Sequence, residues 1–212
     1  MIKHPAKYTE VLLPVFEKIL RKYECEEVLD CFAGTGKIHK LPFTTTGLEI
    51  EGEWAIQSEN TIIGDATQMP FPDNYFCAVC TSPTYGNRMA DCHNAKDGSS
   101  RNTYTHKLGR QLSDTNTGKM QWGNSYRDIH EKAWSECYRV LKVGGILILN
   151  FKNHIRKGVE VDVFGWHVNT LLDKGFVLRT VEQVEVNGNG FGQNGNARVP
   201  FEYVATFEKI SK

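Results

Sequence analysis

The sequence predicts an α/β fold built on a mostly parallel sheet with helices on both faces. Short apolar runs alternate with stretches in which apolar residues recur at helical spacing, as in repeated strand–helix–strand units. One apolar run enters a glycine turn at Gly34 and Gly36, and a later one, Tyr75 to Cys80, leaves through Ser82 and Pro83. Ligands of open parallel sheets bind at the carboxyl ends of the strands. We therefore expect the exit after Cys80 to place functional groups at that edge.

Length and composition fit one domain, residues 1–212, with a full core. The chain has 212 residues, of which 40% are apolar and 24% are charged, so disorder and membrane insertion are both disfavoured. The amino-terminal residues lack the apolar core of a signal peptide, and we expect a cytoplasmic protein. Lys plus Arg and Asp plus Glu both number 25, so any case for a nucleic-acid partner must come from local charge.

The six cysteines do not suggest a metal or redox site. Cys77 and Cys80 form a C-x-x-C, but they lie within a predicted buried strand, which favours core thiols. Cys92 and His93 could be combined with His106 as zinc ligands, yet no fourth ligand is suitably spaced. We expect no metal.

The order of elements gives seven strands. A first helix is predicted after Thr9, which is a good N-cap. A second helix is predicted to begin at Ser125-Tyr126-Arg127-Asp128, which resembles a capping box, and to end at Gly144-Gly145. A third helix is predicted from about Val161 to Lys174, with shorter helical stretches after Gly36 and around Trp54. The predicted strands are Glu27 onward, Thr44 to Glu49, Thr61 to Ile63, Tyr75 to Cys80, Ile146 to Phe151, Phe176 to Val186 and Phe201 to Lys209.

The first glycine turn does not match two common phosphate-binding motifs. A P-loop needs glycine where Cys31 stands, and the dinucleotide fingerprint needs Gly or Ala in place of His39. What remains is Asp30 at a strand end before Gly34 and Gly36, a pattern suited to a ligand with an amino group and a carboxylate near the turn.

Two further carboxylates follow strands of the same predicted sheet. Glu49 comes nineteen residues after Asp30, at about the distance where nucleoside-binding sheets carry a ribose-binding acid. Asp65 follows the third strand and is placed to meet an adenine amino group.

The exit after the fourth strand suits a planar base. Ser82 offers a hydroxyl and a carbonyl, Pro83 stiffens the turn, and Tyr85 offers a flat face for stacking. An ordinary Ser-Pro turn is the plainer alternative.

Residues 86–125 form the one clearly basic region and the candidate target-recognition region. Apolar residues almost vanish there, and basic residues outnumber acidic ones. Interleaved aromatic residues make it a candidate surface for phosphates and bases, although a solvated loop would share this composition. The candidate substrate-binding residues are Arg88, Arg101, Tyr104, Lys107, Arg110 and Trp122.

Taken together, these motifs resemble the S-adenosylmethionine-dependent methyltransferases, and among them the DNA methyltransferases that modify exocyclic amino groups. The resemblance covers nearly the whole chain and rests on residues 30–36, 47–49, 64–66, 81–85 and 139–145. It implies a Rossmann-like class I methyltransferase fold with a seven-stranded sheet and S-adenosylmethionine as cofactor. His4-Pro5-Ala6-Lys7-Tyr8 looks like the segment that closes over the cofactor in the family. The cofactor-binding residues implied are Lys7, Tyr8, Asp30, Phe32, Ala33, Gly34, Gly36, Glu49, Asp65 and Ala66.

The resemblance also implies a catalytic set of Ser82, Pro83 and Tyr85. Ser82 and the Pro83 carbonyl would accept the two amino hydrogens of a flipped base that stacks on Tyr85. A serine at this position in the family favours N4 of cytosine over N6 of adenine. The chain departs from the family at Thr84, where a second proline is usual, and in the small size of its insertion. An RNA amino-methyltransferase and a catalytically weak nucleic-acid-binding relative are the alternatives.

Overall fold

A computed structural model describes residues 2–5, 10–86, 103–186 and 199–211. Its nine strands are β1 (Glu27–Asp30), β2 (Thr44–Glu49), β3 (Thr61–Ile63), β4 (Phe76–Thr81), β5 (Leu141–Phe151), β6 (His154–Arg156), β7 (Val159–Val161), β8 (Phe176–Glu185) and β9 (Phe201–Lys209). Its five α-helices are α1 (Leu12–Lys22), α2 (Gly52–Ala55), α3 (Tyr104–Leu108), α4 (Asn124–Val140) and α5 (Val163–Asp173). Among these helices, none combines the length and apolar composition that a bilayer crossing requires.

Seven of the strands form one sheet in the order β3-β2-β1-β4-β5-β9-β8. Strands β1 to β5 pair in parallel, whereas β9 is antiparallel to both of its neighbours. The chain moves outward from β1 to β3 and then returns to β4 on the other side of β1. This reversal opens a crevice at the carboxyl ends of β1 and β4. The predicted fold class is confirmed.

The sheet is covered by apolar packing on both faces. Alternate residues of β5 point to opposite sides, with Ile146 and Ile148 packing near α1 and Leu147 and Leu149 packing near α4. Among the described cysteines all are free, and Cys80 is fully buried in the core. Burial on both faces explains why the strands read as continuous apolar runs in the sequence.

Three local predictions were wrong. Helix α4 begins at Asn124 after Gly123 without a side-chain cap, so Ser125 does not form the predicted capping box. Gly144 and Gly145 lie inside β5, which takes over directly from α4 at Leu141. The stretch after Gly36 forms only a 3-10 turn, Lys37–Lys40. The β6–β7 hairpin was not predicted, and Thr9 lies outside the described residues.

Candidate active site

A cavity of about 330 Å³ opens at the carboxyl edge of β1, β2 and β4. That volume is at the lower end of the usual range for small-molecule sites. The strand ends supply one side of it, and the amino-terminal residues and residues 115–117 supply the other. The residues that line the cavity include His4, Pro5, Phe32, Ala33, Gly34, Leu48, Glu49, Asp65, Ala66, Ser82, Pro83, Thr84, Tyr85, Tyr104, Thr115, Asn116, Thr117 and Glu202.

The turn after β1 presents its backbone to this cavity. Gly34 has a φ of +55°, in the left-handed region that favours glycine, and its N–H donates to Glu49 Oε2 over 2.8 Å. The His4 ring lies 3.4 Å from the position that a Cβ on Gly34 would occupy, and it packs edge-on against Trp54 with 4.4 Å between the ring centroids. The amino-terminal segment thus covers the glycine turn. Lys7 and Tyr8, which we expected beside it, lie outside the described residues.

Two predicted cofactor-binding residues do not line the cavity. Asp30 is fully buried and accepts hydrogen bonds from Phe32 N–H at 3.1 Å and from the Thr81 hydroxyl at 2.7 Å, so it joins the ends of β1 and β4. Gly36 has a φ of +74°, and a Cβ there would lie 2.6 Å from the His39 ring. Both residues support the conformation of the turn without lining the cavity. Any effect of Gly36→Val would therefore come through the turn.

Glu49 is the buried carboxylate of the cavity wall. Its side chain accepts hydrogen bonds from the N–H groups of Gly34 and Glu51 at 2.8 and 3.0 Å. Burial, reinforced by the nearby Glu51 and Asp30 carboxylates, nevertheless raises the pKa of Glu49 to about 7. When it is ionised, each carboxylate oxygen still has a lone pair that can accept a hydrogen bond from a hydroxyl group of a ligand.

Asp65 faces the cavity but already has partners. Its Oδ1 accepts hydrogen bonds from the N–H and the hydroxyl of Thr67, both at 2.8 Å. Its Oδ2 accepts a hydrogen bond from the Thr115 hydroxyl at 2.6 Å. Asp65 therefore links the end of β3 to the polar insertion, while the adjacent Ala66 adds apolar surface.

Glu51, which sequence reasoning missed, anchors the insertion to the sheet. Its side chain is fully buried and receives four donors: the N–H and hydroxyl of Ser113 at 2.8 and 3.2 Å, Asn116 Nδ2 at 2.8 Å and Arg110 Nη2 at 2.9 Å. A glutamate two residues after a strand carries no local signal for this role. In the part of this region that the structure describes, Tyr104, Thr115, Asn116 and Thr117 therefore line the cavity, and this part is not a solvated loop.

The four predicted substrate-binding residues that the structure describes do not form a phosphate-binding surface. Arg110 pairs with Glu53 at 2.6 Å as well as with Glu51, so its charge is neutralised within the protein. Tyr104 is buried against Trp54 and His4 and lines the cavity. Trp122 packs against Tyr126, Trp166 and Arg127. Lys107 is partly exposed on α3, whereas Arg88 and Arg101 lie outside the described residues.

A polar cluster surrounds the exit from β4. Ser82 Oγ and Tyr85 Oη are 3.0 Å apart, and Asn150 Nδ2 lies 3.1 and 2.7 Å from these two oxygens. The same nitrogen donates to Glu202 Oε2 over 2.8 Å. Burial and the Glu202 carboxylate raise the pKa of Tyr85 well above its usual range. Asn150 and Glu202 were not predicted, since they come from β5 and β9.

Thr84 is held by a buried chain of hydrogen bonds. Trp134 Nε1–H donates to His167 Nδ1 over 3.0 Å, which leaves the proton of the neutral imidazole on Nε2. His167 Nε2–H then donates to the Tyr126 oxygen over 3.1 Å, and the Tyr126 hydroxyl donates to the Thr84 carbonyl over 2.5 Å. Burial lowers the pKa of His167 well below its usual range and keeps the ring neutral. These bonds fix the turn where the second proline is missing.

The described residues contain no group of three or more His, Cys, Asp or Glu side chains placed to hold a metal ion. His106 lies on α3, and the other residues considered as zinc ligands, Cys92 and His93, fall outside the described ranges.

Comparison with solved structures identifies the fold. An S-adenosylmethionine-dependent methyltransferase from Methanosarcina mazei has a TM-score of 0.60 at 14% identity, over 92% of this chain and 98% of that one. A TehB-like S-adenosylmethionine-dependent methyltransferase from Corynebacterium glutamicum has a TM-score of 0.50 at 15% identity, over 91% and 86%. The chain has the methyltransferase fold.

The comparisons do not fix the reaction. The cyclase SpnF also matches, with a TM-score of 0.56 at 14% identity, over 99% of this chain and 86% of that one. No protein-family model and no curated protein matches the chain. Because one fold supports different chemistries, the function must be argued from the site.

Replacing Glu51 tests its role as the anchor. In Glu51→Gln the donors from Ser113, Asn116 and Arg110 lose a charged acceptor, and bonds to charged groups contribute about 1.5–3 kcal/mol each. We expect amide hydrogen exchange in residues 110–117 to accelerate roughly tenfold or more. Glu53→Gln, which alters the more exposed partner of Arg110, is the matched control. Equal exchange in the two variants would show that Glu51 is not the anchor.

The pKa of Glu49 predicts a pH dependence of stability. The native state retains a proton to about pH 7 that the unfolded chain releases near 4.5. The stability of the wild type relative to Glu49→Gln should therefore be greatest below pH 4.5 and fall as pH rises through 7. Buried His130, whose pKa is lowered to about 4, contributes with the opposite sign, but it cancels in this difference. Urea unfolding of both proteins from pH 4.5 to 8 measures this difference in unfolding free energy. A difference that stays flat or rises with pH would contradict the raised pKa of Glu49.

Proposed function

We propose that this protein binds S-adenosylmethionine in the cavity and transfers its methyl group to the exocyclic amino group of a base in nucleic acid. DNA is favoured over RNA, and N4 of cytosine over N6 of adenine. One observation carries the proposal. The turn from Ser82 to Tyr85 is predicted as the substrate site, and Gly34 and Glu49 are predicted as cofactor-binding residues. All of these residues line the same cavity.

The chemistry of the cavity wall fits the proposed cofactor. The Glu49 carboxylate would accept hydrogen bonds from the ribose hydroxyls, and the backbone at Ala33 and Gly34 permits close approach. Phe32, Leu48 and Ala66 provide apolar surface for an adenine ring, with Asp65 at its edge. The His4–Pro5 segment would cover the methionine end. When bound, this cofactor supplies a methyl group that is already electrophilic because it is attached to a sulfonium.

The task left to the protein is to orient a weakly nucleophilic amine. Ser82 Oγ is an acceptor at the cavity wall, and Pro83 restricts the backbone beside it. A hydrogen bond from the amino group to Ser82 would hold that nitrogen in line with the methyl group. The hydrogen bond from Tyr126 to Thr84 maintains the turn in one conformation.

The nucleic-acid assignment rests on the exit turn more than on charge. Arg110 is paired with Glu53 at 2.6 Å, which neutralises one cation of the predicted phosphate-binding set. Tyr85 remains partly exposed at the cavity, where its ring can contact a planar substrate.

Methyl transfer can be tested with tritiated cofactor, a panel of DNA and RNA, and chromatography of the nucleosides. We expect N4-methylcytosine from DNA. Ser82→Ala should lower kcat by roughly 100-fold, since an acceptor aligned with the reacting amine is lost, while cofactor affinity changes little. Ser125→Ala, an exposed serine at the start of α4, is the control.

Each contrary result has a distinct meaning. N6-methyladenine would overturn the preference for cytosine, and label confined to RNA would favour the RNA amino-methyltransferase. Binding of nucleic acid without transfer would favour a catalytically weak relative. Loss of cofactor affinity in Ser82→Ala equal to its loss of kcat would contradict the role given to Ser82.

A further inference from the structure

We propose that Glu202 is the terminal proton acceptor of the reaction, and that Ser82 and Tyr85 relay the proton to it from the substrate amine. The inference rests on the proposed amino-methyl transfer and adds a catalytic residue to it. Glu202 lies near the start of β9, far in sequence from the exit turn, and lines the same cavity.

The geometry forms a continuous path. Ser82 Oγ lies 3.0 Å from Tyr85 Oη, and Tyr85 Oη lies 3.4 Å from Glu202 Oε2. The second distance is long for a hydrogen bond, but contacts of this kind commonly tighten when substrate binds. The pairing of β9 with β5 sets this arrangement, because Val204 lies opposite Asn150 and brings Glu202 to the end of the sheet.

The available hydrogens give the path a direction. An ionised carboxylate can only accept, so the Tyr85 hydroxyl donates to Glu202. The Tyr85 oxygen can then accept from the Ser82 hydroxyl. Ser82 Oγ retains a lone pair for a hydrogen of the substrate amine. Because the pKa of Tyr85 is raised, its hydroxyl remains protonated and passes a proton on without holding a negative charge.

Asn150 organises the relay. It is fully buried, and its Nδ2 lies within hydrogen-bond distance of all three relay side chains. Its Oδ1 has no partner among the described residues. Among the described residues, the Asn150 amide therefore forms hydrogen bonds only through Nδ2. This favours a charged Glu202 carboxylate as the main acceptor of that nitrogen.

The reaction requires such an acceptor. As the nitrogen–methyl bond forms, the sulfur–methyl bond breaks and its electron pair stays on sulfur, so the amine becomes positively charged. One proton must leave to give the neutral methylamine. It passes to Ser82 Oγ as the Ser82 hydrogen moves to Tyr85 and the Tyr85 hydrogen moves to Glu202, which ends as a carboxylic acid. A serine hydroxyl alone could not retain that proton.

The test compares Glu202→Gln with Glu160→Gln in the full chain. Glu160 also binds an asparagine, with 2.8 Å between its Oε1 and Asn153 Nδ2, but it lies outside the cavity lining. We expect Glu202→Gln to lower kcat roughly 100-fold or more, as for the loss of a general base, while cofactor affinity is retained. We expect the kcat of the wild type to decline at acidic pH and that of Glu202→Gln to lack this decline. Glu160→Gln should leave kcat and its pH profile unchanged.

A second variant tests the path itself. Tyr85→Phe keeps the ring and removes the hydroxyl, so it should lose a similar share of kcat. The double variant should be no slower than either single variant, because the residues act as one unit. A normal kcat and pH profile in Glu202→Gln, or additive losses in the double variant, would overturn the relay while leaving the proposed function intact. A wild type that methylates no nucleic acid would overturn both.

Discussion

The buried Glu51 carboxylate is the interaction on which the site depends. It takes four hydrogen bonds from residues 110–116 and has no exposed surface. A buried charge is tolerated only when it is fully paired, so this segment cannot leave without a large free-energy cost. Through it, Thr115 reaches Asp65, and Thr117 accepts a hydrogen bond from Thr84. One carboxylate thus joins the insertion, the cofactor side and the exit turn.

The parts of the site that sequence could predict are those fixed by strand ends. Strand β2 has the predicted bounds Thr44–Glu49, and Glu49 lines the cavity because parallel strands end at one edge. The same reasoning places Ser82 there. Apolar runs and glycine turns are local patterns that locate the carboxyl end of a strand. This prediction holds for any order of the strands in the sheet.

The parts that sequence could not predict depend on long-range pairing. Asn150 donates a hydrogen bond to Glu202 because β9 lies between β5 and β8 in the sheet. No local sequence pattern predicts that strand order. Composition predicts Arg110 as a phosphate ligand, but it cannot show that two acidic residues, Glu51 and Glu53, pair with it in the fold. Thr84 stands where the resembled family usually has a second proline, and Tyr126, from a helix distant in sequence, supplies a constraint on this turn.

We propose that one cavity holds the cofactor and the substrate amine side by side. A crystal structure with S-adenosylhomocysteine, the demethylated product, is the decisive experiment. We expect the ribose hydroxyls on Glu49, the adenine between Phe32 and Ala66, and the sulfur directed toward Ser82. A product bound elsewhere, or bound in this cavity with its sulfur directed away from Ser82, would contradict it.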